Sequence, residues 1–535
     1  MTVCAGSEVC KVHFEISGGP FRRLEGSVVK YPGGVLLPAL QIDRASKTPV
    51  TVQLCSALRG MILKGELEPG QRLPSSRTLA MDQNVSRTTA VSVYEQLVAE
   101  GLIRSSIGAG AFVADTLRHG VPVPQPAVEA ASTGRPPPRL ASLSAEASEH
   151  FFPRLAHPEN PRPFITGIPA FDEFPMVLWS SLVARYWRQP RNLLLGYPPP
   201  EGLMELRRAV AMHLRSNRGV VCEPEQVFIF NGAQDAFNRI GNMLLDPGDP
   251  VWIENPGAIG ARNSLISSGA RLIPISVDEE GLNVDEGLAI APDFRLAFVT
   301  PAHQHPLGVT MSLKRRFELL RAAERAAAWI IEDDYVGEFN YGGHPPPTLK
   351  SVDTSGRVIY VGSFSKTLFA ALRLGYVVAP PNLVDVFHRI AGATLQGSPA
   401  SLQSVVASFI ERGHFASHIR RMRRVYADRL QALLDVSESQ LGGMLDVART
   451  DTGFHTVGRL APDFNAVDIA RRAAERNIFV SSVERFAIKP VVQKGLILGF
   501  SSAPPAAITA AGKALGELLR EVRRDASRPP AAVRN

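Results

Sequence analysis

The sequence predicts a multidomain chain, an N-terminal winged helix-turn-helix followed by a larger C-terminal α/β body. Three observations carry this. Residues 47–114 hold short stretches of helical apolar periodicity punctuated by Gly and Pro. The composition then shifts abruptly to Pro, Ala and Ser. From about Phe164 to Arg524, apolar strands alternate with helical stretches, the order of a largely parallel sheet.

At 535 residues the chain exceeds a single core. Hydrophobic residues at 45% and charged residues at 20% are ordinary for a soluble globular protein. No run of about 20 apolar residues suggests a membrane span, and Met1–Lys11 lacks the pattern of a signal peptide. Cys4, Cys10, Cys55 and Cys222 have neither disulfide nor metal-ligand spacing, which suits a reducing cytoplasm. A net charge of +7 permits nucleic-acid contact without requiring it.

Residues 1–38 are a Gly-rich extension of no assigned function, and a first domain is expected over 39–114. In it, Leu54, Leu58, Met61 and Ile62 recur at helical spacing up to a stop at Gly65, and Pro69-Gly70 makes a turn. Ser75 or Ser76 can cap a second helix and Ser86 a third. In the third, Val91, Tyr94, Leu97 and Val98 are expected to face the core while Thr88, Thr89 and Ser92 look away. Leu102–Arg104 and Ala111–Val113 read as two strands joined through Gly108-Ala109-Gly110, a β-wing. Residues 115–163 are a Pro/Ala/Ser-rich linker with too little apolar content to order itself. The body spans 164–524, and 525–535 is a disordered tail.

Within the body, Val358-Ile359-Tyr360-Val361 is an apolar β-branched run ending at Gly362-Ser363-Phe364-Ser365-Lys366. A lysine just past a buried strand can form a Schiff base with an aldehyde. Ser363, Ser365 and Arg373 can hold a phosphate, arginine bidentately. An aldehyde bearing a phosphate is pyridoxal 5'-phosphate, whose ring nitrogen calls for a carboxylate. Trp329-Ile330-Ile331-Glu332-Asp333-Asp334-Tyr335 offers one in Asp333, and Tyr335 would reach the phenolic oxygen. His303 and His305 could suggest a metal pair, but no third ligand lies nearby in the sequence, so no metal is expected.

From Pro69 to Leu102 the sequence closely resembles the DNA-binding domain of GntR-type bacterial regulators, in Pro-Gly-x-x-Leu-Pro-Ser-x-Arg-x-Leu-Ala, Val-Ser-Arg-x-Thr and Glu-Gly-Leu. The resemblance implies that Arg77, Ser86, Arg87, Thr88 and Thr89 contact operator DNA in the major groove, with Gly108 bringing the wing tip near the minor groove. The body resembles fold-type I aminotransferases, with matches at Leu195-Gly196-Tyr197, Phe230-Asn231-Gly232-Ala233-Gln234, Glu254-Asn255-Pro256-Gly257, Thr300–Gly308 and the Asp333 and Lys366 motifs. This implies a fold-type I PLP-dependent aminotransferase-like domain in which Gly232, Ala233 and Gln234 grip the phosphate at a helix N-terminus. It also implies that Tyr197 reaches the phosphate of a neighbouring subunit.

Three positions depart from that pattern. Ala258 stands where an aromatic stacks on the pyridine ring, His305 where an asparagine meets the cofactor, and Ile497 where some relatives carry a carboxylate-binding arginine, with Arg485 as the nearest substitute. Winged helix, linker and aminotransferase-like domain in this order resemble the MocR subfamily of GntR regulators. The resemblance implies a head-to-tail homodimer that senses a small amine or amino acid through aldimine exchange at Lys366. The alternative is a working transaminase with a vestigial DNA-binding module.

Overall fold

The computed structural model describes residues 40, 42–106, 110–115, 139–153, 160–190, 195–342 and 347–526. The 1–38 extension, Gly108, residues 116–138 of the linker and 527–535 of the tail lie outside the described residues. The chain divides into two compact units, Met1–Pro137 and Pro138–Asn535.

In the first unit, α1 (Val50–Leu63), α2 (Ser76–Asp82) and α3 (Arg87–Ala99) precede strands β1 (Ile103–Ser106) and β2 (Gly110–Val113), paired antiparallel as the wing. Ser75 caps α2 by accepting from the Thr78 amide at 3.1 Å, and Ser86 caps α3 by accepting from the Thr89 amide at 3.0 Å. Tyr94 donates to the Pro74 carbonyl at 2.8 Å, tying α3 to the start of α2. The buried face of α3 is Ala90, Val93, Tyr94 and Leu97, while Val98 is exposed. This corrects the face read from the sequence. The small Ala90 is fully buried in the same apolar cluster as Leu54 and Leu58 of α1, so the packed stripe of α3 is rotated by about one residue.

In the second unit, an eight-stranded sheet runs in the order β3-β10-β9-β8-β7-β4-β5-β6. Its strands are β3 (Val227–Phe230), β4 (Pro250–Asn255), β5 (Arg271–Asp278), β6 (Gly281–Leu282), β7 (Leu296–Val299), β8 (Trp329–Asp333), β9 (Val358–Ser363) and β10 (Gly375–Val378). The pairs from β5 through β4, β7 and β8 to β9 are parallel, and β10 is antiparallel to both β3 and β9. β3, β7 and β8 are buried along their whole length, as strands covered on both faces must be. A second, antiparallel sheet joins β11 (Leu445–Val447), β12 (His455–Leu460), β13 (Ser481–Ser482) and β14 (Gly495–Gly499) in the order β11-β12-β14-β13. Phe164 pairs with Gly499 and fastens the start of the body to this sheet.

Inside the stretch read as linker, Ser142–His150 forms α4, and at the other end the helix Pro505–Ala526 runs into the stretch read as tail. Among the described residues no helix is long and apolar enough to cross a membrane.

Candidate functional site

The carboxyl ends of the parallel strands open onto a cavity of about 470 Å³. Asp333 closes β8, and Ser363 closes β9 and caps the single turn Phe364–Thr367 by accepting from the Ser365 amide at 3.1 Å. That turn carries Lys366, whose Nζ donates to the Gly167 carbonyl at 2.6 Å. Gly167 has φ +74°, a left-handed conformation that favours glycine, and a Cβ there would lie 2.9 Å from Nζ. Burial pushes the Lys366 amine below its ordinary range, and the nearby Asp333 works against that shift.

Asp333 Oδ1 is buried without a hydrogen-bond partner. Burial first, then the neighbouring Asp334 and Glu254, push its carboxyl up to about 8, with Lys366 pulling it down. A buried acceptor of this kind fits a cationic N–H donor. Its neighbour Asp334 is engaged elsewhere, by Arg218 at 2.7 Å and the Tyr360 hydroxyl at 2.6 Å.

At the opposite wall, Gly232 takes φ +94° and opens α5 (Ala233–Leu244), whose first amides point out of the helix. Arg373, in the left-handed region at φ 51°, donates through Nη2 to the Asn231 carbonyl at 3.1 Å. Its guanidinium stands 3.6–3.7 Å from where a Cβ on Gly232 would lie. A helix N-terminus and an arginine at one wall suit a dianion such as phosphate.

Tyr335 lines the cavity, but its hydroxyl donates to the His303 carbonyl at 2.9 Å. His305 also lines it, and its backbone amide donates to Thr300 Oγ1 at 3.0 Å. Thr300 donates in turn to Glu254 at 2.6 Å, and burial raises that carboxyl to about 7. The His305 ring meets His455 and Phe486 edge-to-face, with centroids 5.3 and 5.1 Å apart. Burial holds both imidazoles below the ordinary histidine range, His455 down to about 4.

The cavity thus brings together Gly232, Ala233, Gln234, His305, Asp333, Tyr335, Ser363, Ser365, Lys366 and Arg373. Tyr197 does not join them and is 89% exposed. Ala258 does line the cavity, so the wall carries a methyl group where the resemblance implies an aromatic. Ile497 is fully buried among Ile259, Val457, Val483 and Phe486, and Arg485 donates to the Pro153 carbonyl at 3.1 Å. Sequence reading missed Thr166, Gly167, Phe454, His455 and Phe486 as lining residues. They come from loops, from β12 and from the 3-10 helix Val483–Phe486, where no short motif marks them.

In the first unit, Arg77, Ser86, Arg87 and Thr88 are exposed and Thr89 is half-buried. Ser86 Oγ lies 2.7 and 2.8 Å from the hydroxyls of Thr88 and Thr89, gathering three hydroxyls at the start of α3.

Residues 51–113 match the bacterial regulatory proteins of the gntR family, and residues 188–495 match aminotransferase class I and II. The probable rhizopine catabolism regulatory protein MocR of Rhizobium meliloti is 39% identical over 87% of this chain and 93% of its own. The HTH-type transcriptional regulator YhdI of Bacillus subtilis is 32% identical over 86% and 93%. The chain belongs to the MocR-like, GntR-type transcriptional regulators. Solved structures similar to this regulator include aminotransferases. The Pyrococcus horikoshii kynurenine aminotransferase, 26% identical with TM-score 0.62, covers 68% of this chain and 91% of its own. LysN, the α-aminoadipate aminotransferase of Thermus thermophilus, is 27% identical with TM-score 0.63, over 72% and 96%. The regulator therefore joins a DNA-binding domain to a body with the fold of an enzyme.

Proposed function

We propose that this regulator carries pyridoxal phosphate on Lys366 and senses a small amine or amino acid that competes with that lysine for the cofactor. The observation that supports this most is the pairing, in one cavity, of a buried Lys366 amine with the unpartnered Asp333 Oδ1. When bound, pyridoxal phosphate supplies an aldehyde that condenses with primary amines and a ring that draws electrons from them.

Burial lowers the hold of the Lys366 amine on its proton, which favours the neutral form that can bond to carbon. Asp333 would hold the protonated ring nitrogen. Arg373, Ser363, Ser365 and the first-turn amides of α5 would hold the phosphate, and Tyr335 and His305 would line the rest of the site. An effector amine that takes the place of Lys366 frees that side chain and biases the body toward a second conformation. The winged helices respond through the linker, and operator affinity changes. Arg77, Ser86, Arg87, Thr88 and Thr89 make the DNA contacts, the hydroxyls and arginines meeting phosphates and base edges. A head-to-tail homodimer would let the exposed Tyr197 serve the site of the second copy.

The second reading, a working transaminase, is favoured by the presence of Lys366 and Asp333 together. Ile497 weighs against it, because an apolar buried side chain cannot orient a substrate carboxylate. The test is to load the full chain with cofactor and measure its affinity for DNA upstream of its own gene, across a panel of amines and amino acids. The regulator reading expects one compound to shift that affinity by at least about fivefold. With a 2-oxo acid present, product should stop at one equivalent per site. Sustained turnover with no change in DNA affinity would contradict the proposal.

A further inference from the structure

The described stretch 142–153, N-terminal to the body, is fastened to the wall of the cavity. Helix α6 (Ile259–Ser267) presents Ile259, Gly260 and Ala261 to the cavity. The next residue pair serves another partner. Asn263 Oδ1 accepts from the Phe152 amide at 2.9 Å, and Asn263 Nδ2 donates to the Phe152 carbonyl at 2.9 Å, closing both backbone groups of one residue onto one side chain. The guanidinium of Arg262 lies over the Phe152 ring, 5.2 Å from its centroid.

Arg262 is fully buried, and its Nε and Nη1 have no hydrogen-bond partner, so the aromatic face is part of what compensates its charge. Its Nη2 donates to the carbonyl of Phe486, itself a cavity residue. Arg485, beside it, donates to the Pro153 carbonyl at 3.1 Å. Phe152 packs with Ile259, Phe486 and Ile497. Ile259 and Phe486 thus belong both to the cavity wall and to the apolar cluster against which Phe152 packs.

We propose that residues 142–153 form a strap through which occupancy of the cavity is transmitted to the chain that leads to the winged helices. This rests on the reading that the cavity takes pyridoxal phosphate. Arg262 and Asn263 follow Ile259 by three and four positions, so they move with it as one turn of helix. A ligand that fixes Ile259, Gly260 and Phe486 therefore fixes the clamp on Phe152, and an empty cavity leaves the clamp free to open.

The experiment is amide hydrogen exchange on the full chain with and without pyridoxal phosphate, with the visible absorption band recorded on the same samples. In the unaltered chain the cofactor should slow exchange over residues 142–153 by about tenfold. Asn263→Ala and, independently, Phe152→Ala should still show the band but lose that slowing. The strap is overturned if the band forms while exchange over 142–153 is unchanged, or if both variants keep the full slowing. A chain that never develops the band overturns the cofactor reading instead, and the strap falls with it.

Discussion

Asp333 is the residue whose charge depends most on what shares its cavity. Burial, Asp334 and Glu254 push its carboxyl up to about 8 from the ordinary 3.8, even with the Lys366 amine pulling it down. Between those values the folded chain keeps a proton that the unfolded chain has released. The associated stability is present at low pH and lost as pH rises through that window. In the cofactor-free chain, Asp333→Asn should therefore be more stable than the unaltered chain. Its advantage should widen from about pH 4 to about pH 8 and amount to a few kcal/mol. Thermal unfolding of both chains at acid and alkaline pH checks this, and a constant difference would refute it. Arg373→Ala should weaken pyridoxal phosphate binding by roughly tenfold to a hundredfold, the worth of a charge-assisted pair. Fluorescence titration measures that loss, and Arg373→Gly separates it from relief of the left-handed backbone at φ 51°. Both residues stand out in the sequence, Asp333 at the end of an apolar run and Arg373 seven positions after Lys366, and both line the cavity. His455 does not stand out. Its ring meets His305, 150 positions earlier, through a fold that no local spacing encodes.

At the scale of the element, caps and turns were readable and packing faces less so. Ser86 was identified by its place before an apolar-periodic stretch, and its hydroxyl does bond the Thr89 amide. Ser86→Ala should lower the stability of the N-terminal unit by about 1 kcal/mol, seen in its thermal transition. The face of α3 was misread because Ala90 carries little hydrophobic signal yet is fully buried, while Val98 carries more and is exposed. The antiparallel sheet β11–β14 escaped notice because its strands are as short as two residues and interleave with helices. Arg87, exposed at the start of α3, belongs to the same scale. Arg87→Ala should reduce operator affinity and lower the salt slope of binding by about one, leaving the cofactor band unchanged. A lost band would mean that Arg87 supports the fold instead.

At the scale of the whole molecule, order along the chain carried the reading. A winged helix, a Pro-rich stretch and an enzyme-like body are each ordinary, and their succession is what points to a regulator that senses through a cofactor site. The sequence could not reveal that part of the Pro-rich stretch is ordered, because the order comes from Asn263 and Arg262, over a hundred residues away. The central claim is that Lys366 captures the cofactor. Pyridoxal phosphate titrated into the purified full chain and into Lys366→Ala, followed by dialysis and a visible spectrum, tests it most directly. The account predicts a retained band at one cofactor per chain in the unaltered protein and none in the variant. A colourless unaltered protein, or a band that survives dialysis in Lys366→Ala, would contradict it.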